Sequence, residues 1–103
     1  MNTQTEKELE PLNNWGRKRK TYLLEHNKSL ARQFSPIELH EHCLEIGKQA
    51  EERKHNMMLA IRKDPKNKVT EKDKAQDPMA WVGRMNNLQA SVHEIIYADL
   101  IYS

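Results

Sequence analysis

The sequence predicts an all-α protein, an elongated bundle of three main helices in which two form a long antiparallel hairpin. Three observations carry that expectation. Apolar residues recur at steps of three and four in three separate stretches, and no stretch alternates with the period of two that marks a strand. Helix start signals stand before two of those stretches, at Ser35-Pro36-Ile37-Glu38 and at Asp77-Pro78. The middle stretch runs without a breaker from Pro36 to Lys63. At 1.5 Å per residue it would span about 40 Å, while a compact domain of this size has a radius of gyration of only about 13 Å.

Taken in order, residues 1–12 are polar and acidic-leaning with no apolar period. The expected organisation is a mobile polar tail over residues 1–14 and a single helical domain over residues 15–103. The first helix is expected over 15–34, with Trp15, Tyr22, Leu23, His26, Leu30 and Phe34 on one broad face. Arg17, Lys18, Arg19 and Lys20 sit in its first turns, where the helix dipole disfavours cations.

The second helix is expected over 36–63. Ser35 supplies the N-cap, Pro36 fits the first position and Glu38 the third, the pattern of a capping box. Leu39, Cys43, Ile46, Ala50, Met57 and Ile61 keep its seam, with Arg53 in phase between Ala50 and Met57. A guanidinium there calls for a partner such as Glu94 or Asn86, or for a head that reaches water. Pro65 drives Asp64 out of the helical region and ends the helix near Lys63. Residues 64–76 read as a charged connector in which Thr70-Glu71-Lys72-Asp73 caps one short helical turn.

The third helix is expected over 78–102, capped by Asp77. Trp81, Met85, Leu88, Val92, Ile95 and Ile96 form its apolar stripe, Arg84 is its one cation, and Gly83 weakens it by about 1 kcal/mol relative to Ala. The second and third helices are expected to pair, with the first packed across them.

Composition bounds the function. The chain has 103 residues, 31% charged against 37% hydrophobic, which suits one domain with narrow apolar stripes. That balance lies near the disordered class, so a homodimer that completes the core is expected. A net charge of +2 is too mild to imply nucleic acid by itself, and it excludes an acidic DNA mimic. The single cysteine, Cys43, excludes an intrachain disulfide and a cysteine-built zinc site. No apolar run approaches a membrane span and the start is not a signal peptide, so a cytoplasmic protein with no membrane partner is expected.

Little chemistry is legible. His40 and His42 are two residues apart and point to nearly opposite sides of a helix, so they do not make a metal pair. Hydrolase and phosphate-loop motifs are absent. Glu45, Glu51 and Glu52 alternate with Lys48, Arg53 and Lys54 as a solvated face does. No catalytic residue, metal ligand or cofactor is therefore expected, and the protein is expected to act by binding. The candidate binding residues are Arg17, Lys18, Arg19 and Lys20, with Lys28 and Arg32 continuing the cationic face toward a polyanion or an acidic protein patch. The plainer alternative is a solubilising face, with the Arg19 stem lying over Trp15 and Tyr22. No recognition-helix motif supports base-specific reading of DNA.

Several groups of residues resemble a known family. Trp81-Val82, Arg84-Met85-Asn86, Glu94-Ile95-Ile96 and Leu100-Ile101-Tyr102-Ser103 look like the end of the transposon-encoded TnpV proteins. Trp15-Gly16, Tyr22-Leu23-Leu24-Glu25, Glu45-Ile46 and Ala50-Glu51-Glu52-Arg53 look like their earlier parts, in the same order. The resemblance covers Trp15 to Ser103. It departs at the polar start, where the family has a partly apolar lead, and at Phe34-Ser35-Pro36-Ile37, where the family has a Gly-Lys-Leu turn. It implies residence on a mobile element and brings no activity with it. Three functional readings follow: an accessory factor binding a nucleic acid or a recombinase complex, an anti-CRISPR-like inhibitor docking on a host defence enzyme, and a structural homodimer module.

Overall fold

A computed structural model describes residues 9–103, and all of its regular elements are helical, with no strand among the described residues. Residues 1–8 of the expected tail lie outside the described residues. The elements are α1 (Asn14–His26), α2 (Lys28–Ala31), α3 (Pro36–Lys63), a 3-10 turn (Pro65–Asn67), α4 (Glu71–Gln76), α5 (Pro78–Ile96) and a closing π turn (Tyr97–Ile101).

Helix α3 runs between the expected ends. Ser35 Oγ accepts from the Glu38 N–H at 3.2 Å, and Glu38 Oε1 accepts from the Ser35 N–H at 2.8 Å, which closes the capping box. Asp64 is extended at the other end, as a residue before proline must be. The connector carries a second capping box, Thr70 with Asp73, which starts α4. Lys68 turns the chain between them in the left-handed region, at φ 55°.

Two expected elements differ. The first helix does not run through to residue 34. Asn27 leaves helical geometry at φ −143°, and its side chain accepts from the Leu30 N–H to start α2. An asparagine side chain competes with the backbone in this way. The third helix widens after Ile96 into the π turn, where the Tyr102 N–H reaches the Tyr97 carbonyl at 2.8 Å.

Helix α3 is the spine of a body measuring 59 × 28 × 19 Å. Helix α5 lies antiparallel along its C-terminal half, the expected hairpin, and near the end of the pair Arg53 meets Asp99 at 2.6 Å. Arg53 thus has an acidic partner, but it is Asp99 and not Glu94 or Asn86, and both side chains remain partly exposed. Helix α1 does not cross that hairpin. It lies antiparallel along the N-terminal half of α3, where Asn13 donates to the Gly47 carbonyl at 3.0 Å and Trp15 Nε1 to Glu51 at 3.0 Å. Gly16 permits this approach, since a Cβ there would stand 2.7 Å from the Cys43 carbonyl oxygen. Glu10 joins in: its carbonyl meets the His40 ring and its carboxylate sits 3.8 Å from Lys48.

Two cores result. Leu23, Leu39 and Cys43 are buried between α1 and α3. Trp15, Ala50, Met58, Val92, Ile96 and Ile101 are buried where α1, α3 and the end of α5 converge. Trp15 is therefore the residue at which the two halves of the spine's cover meet.

Candidate binding face

The run Arg17–Lys20 begins one turn into α1, so a rise of 1.5 Å and a rotation of about 100° per residue distribute its four side chains around the helix. Arg17 is exposed, and its guanidinium is tied to the Leu12 carbonyl at 2.6 Å and to the Asn14 side chain. Lys18 is exposed and stands 5.6 Å from the centre of the Tyr97 ring. Lys20 is half-buried on the other side, where it shares a cleft of about 460 Å³ with Arg17, Leu12, Leu24 and His40. Exposed Leu24 leads from there to Lys28 and Arg32, which line a shallow hollow with Ala31. The structure thus joins Lys20, Lys28 and Arg32 along one side and sets Lys18 on another, with Arg17 between them.

Arg19 does not face a partner. It is 5% exposed, and its Nη1 donates to the carbonyls of Ile101 at 3.1 Å and Ser103 at 2.9 Å. Its Nε donates to His42 Nε2 at 3.3 Å, and its guanidinium lies 5.9 Å from the centre of the Tyr22 ring. Expected as part of the cationic surface, it is instead the clamp that holds the π turn against α1. Its burial is tolerable because Nη1 finds two carbonyls at the end of the last helical turn and Nε finds the His42 ring nitrogen.

Between α1 and that clamped turn opens a cleft of about 380 Å³ lined by Arg17, Lys18, Thr21, Tyr22, His26 and Tyr102. Among the described residues no carboxylate lines it. Tyr102 is 47% exposed, stacks on Tyr97 at 5.5 Å and 25°, and approaches Tyr22 at 5.5 Å. On the far side of Lys18 lies a smaller cleft of about 250 Å³, where Lys54, Asn14, Trp15, Tyr97 and His93 gather. Among the described residues its one carboxylate is Glu51, which is held by the Trp15 indole. Tyr22, Tyr97, Tyr102 and Lys54 were not among the candidates read from the sequence. Tyr22, Lys54 and the Tyr97–Tyr102 pair come from three separate parts of the chain and share no motif.

The remaining titratable groups are built into the packing. His42 stacks on Phe34 at 5.0 Å, and burial, then the Arg19 charge, hold its pKa below the ordinary histidine value. It is thereby neutral, as an acceptor for Arg19 must be. Burial, then the Lys54 charge, also lowers His93, against the opposing influence of Glu51. Its Nε2 is buried without a partner beside Trp15. Burial pushes the Cys43 thiol up, away from the thiolate a nucleophile needs. Among the described residues no three His, Cys, Asp or Glu side chains group closely enough to hold a metal ion. No described helix is long and apolar enough to cross a membrane.

Fold and face together define a small, elongated all-α protein that presents cations and tyrosine rings on open clefts. The chain belongs to the TnpV family: the family model described as transposon-encoded protein TnpV matches residues 1–101, a span that includes the polar start. The comparisons with curated proteins and with solved structures found no match.

Proposed function

We propose that this transposon-associated protein is a non-enzymatic accessory factor that binds nucleic acid through the face of α1 bearing Arg17 and Lys18. The observation that carries this reading is the pair of clefts meeting at Lys18, where cations stand beside tyrosine rings and Glu51 is already engaged by Trp15. Cations that neutralise phosphates release counterions, so binding should weaken steeply with salt. The test is fluorescence anisotropy of labelled DNA and RNA oligonucleotides, single-stranded and duplex, over a salt series with Lys18→Gln and Lys54→Gln. Weaker binding and a flatter salt slope are expected, with unchanged melting. Failure of every probe to bind at low salt would sink the reading and leave docking on an element-encoded or host protein in its place.

Self-association is a second reading with its own observation. The start of α5 presents Met79, 86% exposed, with exposed Val82 one turn on, and between Pro78 and His93 its one charged residue is Arg84. In a chain that is 31% charged, a helix face this neutral suits a copy of itself. Sedimentation equilibrium tests it: Val82→Lys should shift a micromolar dimer to monomer, and a monomer mass for the unaltered chain would exclude it.

A further inference from the structure

The identity of the strand can be taken further, resting on the nucleic-acid reading above. We propose that the Tyr22–Tyr102 cleft seats one unpaired nucleobase, so that the polymer bound is single-stranded. A base inside a duplex has both of its faces covered by neighbours and offers a protein its edges and its phosphates. A base in a single strand offers a π face, which stacks on an aromatic side chain whatever its sequence. The cleft is built for the second case. Tyr102 is backed on one side by Tyr97, yet remains 47% exposed, and the Tyr22 ring stands 5.5 Å away at 55° as a second wall. The opening of about 380 Å³ is at the small end of ligand sites and suits one nucleotide.

The phosphate side is equally prepared. Arg17 is held by the Leu12 carbonyl and by Asn14, so its guanidinium is fixed at the rim before any ligand arrives. Lys18 belongs to both clefts, and Lys54 stands in the next one beside Tyr97. A strand laid across Lys18 therefore meets a cation on either side of a stacking site. Thr21, exposed on the cleft wall, adds a hydroxyl able to donate to a base edge or a phosphate. Nothing in this set reads a particular base, so the binding should be tolerant of sequence.

The experiment uses the full chain and 5′-labelled probes: a mixed-sequence single-stranded DNA, the same sequence as RNA, and the corresponding DNA duplex. Anisotropy is read over a salt series. The single strands are expected to bind more tightly than the duplex. Tyr102→Ala should weaken them by about 5- to 100-fold, the range of one base stack, while Tyr102→Trp restores binding. Loss of the stack should leave the salt slope unchanged, whereas Lys18→Gln should flatten it by about 0.7 for a phosphate contact on a single strand. Thr21→Glu, an exposed change, places a carboxylate in the cleft without touching either core. It should abolish single-strand binding with the melting temperature unchanged. Equal affinity for single strands and duplex, with Tyr102→Ala and Thr21→Glu both silent, would overturn this inference and leave nucleic-acid binding itself intact. Absence of binding to all three probes at low salt would overturn both.

Discussion

Arg19 offers the most direct test of how the molecule is assembled. Replacing it with Ala removes the Nη1 hydrogen bonds to the carbonyls of Ile101 and Ser103 and the Nε hydrogen bond to His42. A hydrogen bond from a charged donor contributes about 1.5–3 kcal/mol, and a buried carbonyl left without a partner costs about 1–3 kcal/mol. Two terms reduce the sum. Water can reach the Ser103 carbonyl once the side chain is gone, and the buried guanidinium no longer has to be desolvated. A net loss of about 2–4 kcal/mol remains. For a domain of this length each kcal/mol moves the midpoint by about 4–8 °C, so Arg19→Ala should melt on the order of 8–32 °C lower. Arg19→Lys should fall between, because one ammonium keeps the charge but cannot reach both carbonyls and His42 with a planar fork. Thermal denaturation followed by far-UV circular dichroism at pH 7.5 measures both. If the two variants melt within about 2 °C of the unaltered chain, the clamp is fictitious. Arg19 would then belong with its neighbours on the surface.

Other perturbations separate other parts of the fold. Gly16→Ala should destabilise by about 1–3 kcal/mol, because its methyl meets the Cys43 carbonyl at 2.7 Å and the helices must part. Gly83→Ala, where added carbon meets nothing within 4 Å, should stabilise by about 1 kcal/mol; paired melts in dilute protein decide both signs. Ser35→Ala should cost about 0.5–2 kcal/mol through the lost N-cap of α3, and an unchanged midpoint would mean that the cap contributes nothing. His42 and His93 both have pKa values lowered in the folded state, so the fold favours their neutral forms. Their contribution is present above about pH 6.5, the unfolded value, and is lost as pH falls through the folded values. Melting temperature should therefore decline from about pH 7.5 to 5.5, and His42→Gln should flatten that decline.

The parts of the fold legible in the sequence were those with local causes. Helix α3 is bounded by Ser35-Pro36 and Asp64-Pro65, and each signal acts on its own backbone within a few residues. The break at Asn27 also has a local cause, but Leu30 and Phe34 stay in phase with Leu23 and conceal it. The π turn left a trace in the step of five between buried Ile96 and Ile101, a spacing that α-helical periodicity does not recognise. The seam of α3 was read nearly in phase, yet Met58 is buried where Met57 was expected, and Gly47 was overlooked because its part is to have no side chain. The proposed binding face was only half legible. Its cations are contiguous, but Tyr102 comes from the far end of the chain and reaches α1 because Arg19 holds it there.

That dependence changes what a run of like charges on a helix means. Successive side chains turn by about 100°, so four consecutive cations sweep about 300° and cannot form one surface. In α1 the sweep yields three different environments. Arg17 and Lys18 reach the tyrosine clefts, Arg19 points into the junction of α1 with the π turn, and Lys20 lies toward Leu24 and His40. Only the inward position is committed to folding, and the aromatic wall beside its neighbours exists because of it. Neutralising the whole block would therefore lower stability and the proposed binding together and identify neither role. Changing Lys18 and Arg19 singly separates them: one tests the proposed contact with a ligand's charge, the other the turn that carries Tyr102.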